Sequence, residues 1–259
     1  MFDAGVNLLD KRFDPFAVIE NAIEAGISGL LVISSDLDES QAAQDFCNQY
    51  TSKACQLRFT AGVHPHAAKT WDSQSSHQLK LIAADKLCVA IGECGLDFNR
   101  NFSSPEEQEY AFTEQLKLAK CLSMGLYLHE RDAFKQQLQL LNKYAGDVRF
   151  KIAHCFTGNE VQLSAYLAMG CYIGITGWLD DEKRAFDLRS AVKNLPLHRL
   201  LLETDAPYLF PKSIRPRAKN NEPKFLGAIA SVFAALTNND IVDVKQASMF
   251  NAAKLFLSD

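Results

Sequence analysis

Short apolar runs alternate with helix-like segments along the whole chain. Eight of these runs have the length of a β-strand. They are continuous in apolar residues rather than strictly alternating, as expected for strands that are buried on both faces. The predicted strands cover residues 2–8, 29–33, 58–63, 88–95, 126–129, 149–156, 171–178 and 200–205. Each of them is followed by a segment that predicts a helix.

The helix-like segments begin at recognisable capping residues. Asp14 precedes Pro15, a proline position favoured in the first helical turn, and Ser104 with Glu107 forms a capping-box pattern. The predicted helices cover 15–26, 36–50, 77–84, 105–123, a segment ending near 144, 159–169, 184–193, 223–236 and 241–256. Strands that alternate with helices in this way predict right-handed βαβ units.

Eight strand–helix units in 259 residues predict an α/β protein with a closed (β/α)8 TIM barrel, a fold that typically takes about 250 residues. We expect a single domain over 1–259, because no linker or low-complexity segment interrupts the pattern. Two small domains are the alternative that the length allows. An open doubly wound sheet is the alternative that the pattern allows, although no GxGxxG motif follows the first strand.

Composition narrows the class of protein. The net charge of −4 and the pI of about 5.9 argue against non-specific coating of nucleic acid, but they allow a local basic groove. Seven cysteines without a CxxC motif are typical of reduced thiols in the cytosol. The N-terminus is acidic and no apolar run approaches about 18 residues. We therefore expect a cytoplasmic protein without membrane contact. A monomer is expected as well, on grounds other than composition.

Polar side chains recur where the predicted strands end. His64 follows the third strand, Glu93 lies near the end of the fourth, and His129, His154 and Asp205 lie at the ends of the fifth, sixth and eighth. In a (β/α)8 barrel, functional residues gather at the carboxyl ends of the strands. Three histidines and two carboxylates that meet there form a ligand set for a divalent metal.

Other polar residues have a structural interpretation. His77 and His198 lie in helical or loop context, where a hydrogen-bonded structural role is commoner than metal binding. Cys94 and Cys155 directly follow two candidate ligands, so strand alternation turns them to the opposite face, where we expect packing. Glu203 shares the parity of Asp205 and needs a hydrogen-bonding partner, which the sequence does not identify.

Seven motifs in order carry a resemblance to a known family. They are AGVHPH (61–66), AIGECGLDF (90–98), LHERDA (128–133), AHCFTG (153–158), YIGITG (172–177), LLETDAPYL (201–209) and NEP (221–223). With these the chain resembles the TatD-type deoxyribonucleases, a metal-dependent barrel family related to the amidohydrolases, over essentially its whole length. The resemblance implies a phosphodiesterase that hydrolyses single-stranded DNA or RNA, as a 3′→5′ exonuclease.

The resemblance also implies the site. It assigns Glu93, His129 and His154 as metal ligands and Asp205 as a catalytic or metal-binding residue, with Mg²⁺ as the ion and Mn²⁺ or Zn²⁺ as alternatives. Most of the family begins with D-x-H-x-H on the first strand, whereas this chain has Asp3, Gly5 and Asn7 at positions 3, 5 and 7. Glycine has no side-chain ligand, so we expect one firm metal site and a weak second one.

The residues expected at the mouth of the barrel are given roles in catalysis and in substrate contact. Asp205 would orient or deprotonate the attacking water, Glu93 would hold the metal that activates it, and His64 and His66 would contact the phosphate. The alternative for His64 and His66 is that they fix a tight loop around Pro65. Retained activity in an alanine variant of His129 or His154 would remove the metal assignment.

The segment between Asp205 and Glu222 carries four basic residues and no acid. Arg215, Arg217 and Lys219, with Lys212, are predicted to contact the phosphate backbone, and a merely solvated loop is the alternative. Trp178 is predicted to stack on a base, with packing as its alternative. Two other functions remain open: hydrolysis of an acyl or amide substrate, and nucleic-acid binding with weak catalysis.

Overall fold

The computed structural model describes residues 1–50 and 52–258, and eight strands and nine α-helices lie within them. The strands are β1 (Phe2–Val6), β2 (Gly29–Val32), β3 (Gln56–Ala61), β4 (Cys88–Asp97), β5 (Gly125–Arg131), β6 (Lys151–Ala153), β7 (Tyr172–Ile175) and β8 (Leu200–Leu202). The helices are α1 (Pro15–Glu24), α2 (Leu37–Gln49), α3 (Ser75–Ala83), α4 (Pro105–Leu122), α5 (Phe134–Tyr144), α6 (Glu160–Ala168), α7 (Phe186–Ala191), α8 (Leu226–Thr237) and α9 (Ile241–Phe256).

The strands form one sheet in the order β1 to β8, with parallel pairing and a helix after each strand. The predicted order of elements is therefore confirmed, but β6, β7 and β8 are shorter than the sequence predicts. Cys155 and Asp205 adopt φ values of 44° and 51°, which are incompatible with an extended strand. His154 and Asp205 consequently lie just beyond β6 and β8 rather than inside them.

By its internal contacts the chain divides into two compact units. The second unit, residues 32–50 and 58–154, contains the ladders between β3, β4, β5 and β6. Its buried core includes Phe59, Leu79, Phe112, Leu116 and Tyr127. These side chains come from strands and from the inner faces of α3 and α4, as the helical spacing of apolar residues requires.

Two buried glutamines tie helix α4 of the second unit to the ends of two strands. Gln115 on α4 accepts a hydrogen bond from Val63 N (2.8 Å) and donates to Val63 O (2.9 Å), just after β3. Gln108, two turns earlier, bonds in the same way to the backbone N (2.8 Å) and O (3.0 Å) of Asp97 at the end of β4. Buried backbone groups need such partners, so these amides fix the strand ends that carry the candidate site.

The first unit, residues 1–31, 52–57 and 155–258, contains β1, β7 and β8 with α1 and α6–α9. β7 pairs with β8, and β1 approaches the segment after β8 through a bridge between Val6 and Ala206. Helix α9 supports β8 by polar contacts, because Ser248 Oγ accepts from Leu202 N (2.8 Å) and Asn251 Nδ2 donates to Leu200 O (2.8 Å).

Within the described residues, no single helix combines the length and the apolar character needed to cross a bilayer. The segments Pro223–Thr237 and Ile241–Phe256 meet that criterion only as a pair, and they bend by 118° where they join.

Asp3 on β1 is a buried carboxyl group in the first unit. Its oxygens accept hydrogen bonds from Thr204 N (2.8 Å), Thr204 Oγ1 (2.5 Å) and Gly5 N (3.2 Å). Burial disfavours the charged form and raises the pKa of Asp3 to about 7, although these bonds oppose the shift.

Replacing Asp3 with asparagine is expected to change the pH dependence of stability. Because the pKa of Asp3 is higher in the folded chain than in the unfolded one, its contribution to stability is present at low pH and is lost as the pH rises towards 7. The free energy of unfolding of the wild type, relative to Asp3→Asn, should fall by about 2–3 kcal/mol between pH 5 and pH 8. Urea unfolding at both pH values measures this, with the exposed Asp187→Asn as control; a constant difference would contradict the assignment.

Candidate active site

Four ionisable side chains of the second unit meet around one carboxylate oxygen. Glu93 lies on β4, His129 on β5, His64 just after β3 and His154 just after β6. Glu93 Oε1 lies 2.8 Å from His129 Nδ1, 3.4 Å from His64 Nε2 and 3.7 Å from His154 Nε2. The structure therefore brings together the three predicted metal ligands and the histidine that was predicted to contact the substrate.

The backbone places these side chains through the strand ladder. In the pairing of β4 with β5, Gly95 lies opposite His129. Glu93 N donates to Ser34 O (3.0 Å), and His154 N donates to Leu128 O (2.9 Å). Gly92, with a φ of 154°, lies so close to Tyr127 that a Cβ atom would collide with its backbone oxygen. A glycine is therefore required directly before Glu93.

The charges of the cluster are strongly coupled. Burial alone would raise the pKa of Glu93, but His64, His154 and His129 outweigh it and hold that pKa well below its ordinary value. Burial lowers the pKa of His64 to about 4, against the pull of Glu93. Burial also opposes the charge on His129, yet the carboxylates of Asp97 and Glu93 raise its pKa to about 9. The centre thus contains an ionised glutamate and stabilises positive charge beside it.

The donor atoms of this centre fit a divalent metal. His129 Nδ1 faces Glu93 Oε1 at 2.8 Å, so an ion between them would take the place of the Nδ1 proton and leave the remaining ring proton on Nε2. Among the described side chains, His129 Nε2 is the buried nitrogen or oxygen that has no hydrogen-bond partner; it lies 3.4 Å from Asp97 Oδ2, without the alignment of a hydrogen bond. Nitrogen or oxygen atoms of Glu93, His129 and His64 lie within 4.8 Å of one another, and Nε2 of the third predicted ligand, His154, lies 3.7 Å from Glu93 Oε1.

Hydrogen bonds at Nδ1, the ring nitrogen that faces away from Glu93, give His64 and His154 different roles. His64 Nδ1 accepts a hydrogen bond from His66 N (3.0 Å), so the neutral ring carries its proton on Nε2 and is a donor, not a ligand. His154 Nδ1 lies 2.7 Å from the hydroxyl oxygen of Tyr127. When Nδ1–H donates to that oxygen, the Nε2 lone pair is available to a metal, the usual arrangement of a metal-binding histidine.

The sequence reasoning missed Asp97 and Tyr127. Asp97 is buried, its Oδ2 accepts from His66 Nε2 (2.8 Å), and its Oδ1 accepts from the backbone N of Asn99 (3.0 Å) and Arg100 (2.9 Å). Burial opposes its charge, but these contacts and His129 hold the pKa of Asp97 well below its usual range. The motif at 90–98 could have indicated Asp97, because strand alternation places it on the same face of the strand as Glu93.

Asp205 lies in the first unit, three residues beyond β8. Its backbone N donates to Gly5 O (2.9 Å), and its side-chain Oδ1 accepts a hydrogen bond from Asn7 Nδ2 (3.0 Å). The amide nitrogen of Asn7 therefore faces Asp205, at a position where most of the resembling family has a histidine. A metal-binding or catalytic role for Asp205 stays a prediction.

Glu203 has the partner that the sequence could not identify. Its Oε1 accepts a hydrogen bond from Cys155 N (2.5 Å), and its carboxylate fills the space in which a Cβ on Gly174 would lie. This explains the glycine on β7 and gives Glu203 a structural role. The alternation argument applies to the buried Cys94, but it was wrong for Cys155, which follows β6 with a positive φ and is only half-buried.

The predicted substrate-binding residues of the first unit have local contacts of their own. The Arg184 guanidinium lies 4.5 Å from the centre of the Trp178 ring and covers one of its faces. Arg215 Nη1 donates to Lys212 O (2.5 Å) and to Ile214 O (2.8 Å), so this side chain folds onto its own loop. Arg217 and Lys219 are exposed. Contact of these residues with a nucleic acid stays a prediction.

Comparison with known proteins gives consistent results. The family model described as TatD related DNase matches residues 2–257. A protein of Yersinia pseudotuberculosis serotype O:3 (strain YPIII) named 3′-5′ ssDNA/RNA exonuclease TatD is 45% identical over 260 residues, covering 99% of this chain and 99% of the relative.

Solved structures agree with this result. A TatD homolog from Escherichia coli matches with a TM-score of 0.88 and 25% identity, over 100% of this chain and 98% of the other. A TatD family hydrolase from Entamoeba histolytica matches with a TM-score of 0.90 and 23% identity, over 99% and 97%. The predicted (β/α)8 TIM-barrel fold of metallo-dependent hydrolase type is thereby confirmed, as is the resemblance drawn from the motifs. The chain belongs to the TatD related DNase family.

Proposed function

We propose that this chain is a metal-dependent exonuclease that removes nucleotides from the 3′ end of single-stranded DNA or RNA. The observation that carries the proposal is the centre around Glu93 Oε1, in which ring nitrogens of three imidazoles lie 2.8, 3.4 and 3.7 Å from one buried carboxylate oxygen. The relative that is 45% identical is named for this activity. The predicted enzyme class, a hydrolase of nucleic-acid phosphodiester bonds, is that of the family.

Glu93, His129 and His154 are the residues that would hold the ion. When bound, a divalent metal supplies Lewis-acid chemistry, because it lowers the pKa of a water and neutralises charge on a phosphate oxygen. The resemblance predicts Mg²⁺, with Mn²⁺ or Zn²⁺ as alternatives. Mg²⁺ prefers oxygen ligands, whereas two imidazoles with one carboxylate suit Zn²⁺. These ligand types therefore support the alternative ions as well as Mg²⁺.

The remaining residues act on the phosphate and on the water. His64 Nε2–H points towards the centre and would donate to a non-bridging phosphate oxygen, and its low pKa keeps the ring neutral at physiological pH. His66 is oriented by donating its Nε2–H to the Asp97 carboxylate at 2.8 Å, and the free edge of its ring is proposed to contact the same phosphate without donating an N–H. Asp205, oriented by Asn7, is proposed to hold the attacking water and to take its proton.

Binding of the strand is assigned to the basic loop. Lys212, Arg215, Arg217 and Lys219 lie in a segment without an acidic residue, and this local charge suits a phosphate backbone on an otherwise acidic protein. All seven cysteines are free thiols in the structure, which fits the predicted cytoplasmic location. The monomeric state stays a prediction.

The proposal is tested by product analysis with purified protein. A 5′-labelled single-stranded oligonucleotide should be shortened stepwise when Mg²⁺, Mn²⁺ or Zn²⁺ is added to metal-free protein, and EDTA should stop the reaction. A 3′-labelled strand should release its label as a mononucleotide in the first step, which fixes the polarity. Hydrolysis of acyl or amide substrates without cleavage of nucleic acid, or binding of the strand without cleavage, would overturn the proposal.

A further inference from the structure

An exposed aromatic ring lies at the edge of the histidine cluster. Phe102 follows β4 in the loop that leads to α4, and 56% of its surface is exposed. Its ring centre lies 4.8 Å from that of His66, at an interplanar angle of 89°. A single exposed phenylalanine is common on protein surfaces. An exposed ring in edge contact with a histidine of the candidate site is a more specific feature.

The rings form a continuous series from solvent to the centre. His66 lies 4.3 Å from His64 between ring centres, and His64 lies 4.4 Å from His129. All of these contacts are edge-to-face in type, so none of them covers Phe102 by stacking. The exposed ring is therefore separated from a candidate metal ligand by only two imidazoles, so a base at Phe102 would belong to a nucleotide close to the phosphate at the cluster.

The loop that carries Phe102 is held in place on both sides. The Ser103 hydroxyl accepts a hydrogen bond from Lys69 N (3.0 Å) and donates to His66 O (3.2 Å). Gln108 Nε2 donates to Ser103 O (3.0 Å). On the other side, Asn101 Nδ2 donates to Phe98 O (2.9 Å). A ring on so well-bonded a backbone loses little conformational freedom when a ligand stacks on it, which favours binding.

We propose that Phe102, with His66 at its edge, is a stacking platform for a nucleobase of the strand whose phosphate lies at the histidine cluster. This inference rests on the proposed function and names the residue that holds the base. Stacking on an aromatic face is tolerant of base identity, as an exonuclease that acts on successive nucleotides requires. Trp178 is less suited to this role, because Arg184 covers one face of its ring.

Binding measurements on a scanned oligonucleotide test the platform. Wild type and Phe102→Leu are titrated, by fluorescence anisotropy in EDTA, against a single-stranded DNA and against versions that lack one base at each of the last four 3′ positions in turn. Phe102→Leu keeps an apolar side chain but has no π-face, so it should bind the intact strand roughly tenfold more weakly. Phe102→Trp should bind at least as tightly as wild type. Tyr110→Leu, which removes a ring that is 57% exposed on α4, should change nothing.

The expected result is that the difference in affinity between wild type and Phe102→Leu disappears when one particular base is missing. When the stacked base is missing, wild type and Phe102→Leu should bind equally, whereas the other base deletions should leave their tenfold difference intact. Equal affinity of both proteins for the intact strand overturns the inference, as does a difference that persists at all four deleted positions. A wild type that neither binds nor cleaves single strands refutes the proposed function instead, and the inference falls with it.

Discussion

Glutamine in place of Glu93 is expected to lower metal-dependent hydrolysis by at least about a thousandfold. The substitution keeps the size of the side chain but removes the negative charge on which three imidazoles converge at 2.8, 3.4 and 3.7 Å. It removes a charged metal ligand and also the carboxylate that faces His129 Nδ1 when no ion is bound. The loss of several kcal/mol of transition-state stabilisation corresponds to this factor. The measurement is kcat/KM on a labelled single strand, with Mn²⁺ titrated by calorimetry.

The control for this variant is Glu24→Gln, an exposed glutamate near the end of α1, which should leave both the rate and the metal affinity unchanged. Urea unfolding checks that the Glu93 variant is folded. Because the variant keeps the buried His129 but loses one of the two carboxylates that stabilise its charge, we expect a lower stability, and rates and affinities are compared under conditions in which the variant is folded. If Glu93→Gln binds Mn²⁺ with wild-type affinity and keeps more than a tenth of the activity, Glu93 is not a ligand and the assignment of the centre is wrong.

Local signals account for the parts of the fold that the sequence predicted well. The Asp14–Pro15 start and the Ser104–Glu107 capping box are both present, because each depends on residues that are at most three positions apart. The ends of β6 and β8 were less predictable. There, an apolar run continues in the sequence while Cys155 and Asp205 turn to positive φ, a change that long-range contacts impose and that apolar periodicity does not record.

The candidate site also has a part that the sequence predicts and a part that it does not. The position of polar residues at strand ends singled out His64, Glu93, His129, His154 and Asp205, and the resemblance reduced these to a ligand set; the first four do meet, since parallel strands in register bring their ends together. The partners of these residues were not predictable from spacing. Tyr127 meets His154 across two strands, and Gln108 reaches Asp97 from a helix. Such contacts satisfy buried polar groups in three dimensions, and many residue types at many positions could serve.

The last prediction separates His64 from His154. His154→Ala is expected to weaken binding of Mn²⁺ at least about 100-fold, because it removes a ligand, and activity should fall with the affinity. His64→Ala is expected to leave metal affinity within about threefold of wild type and to lower kcat by about 100-fold, the size of effect found when one donor to a developing charge is lost. The difference follows from the bond of His66 N to His64 Nδ1, which fixes the proton on Nε2.

Calorimetric titration of metal and kcat on a labelled strand, measured on the same protein preparations, distinguish the two roles. His77→Ala, at an exposed position on α3, is the matched control and should behave as wild type in both measurements. Tyr127→Phe should reproduce the loss of affinity of His154→Ala in weaker form, about 10- to 100-fold, because it removes the oxygen that orients the ring. A large loss of metal affinity in His64→Ala, with His154→Ala unaffected, would exchange the two assignments and make His64 the third ligand.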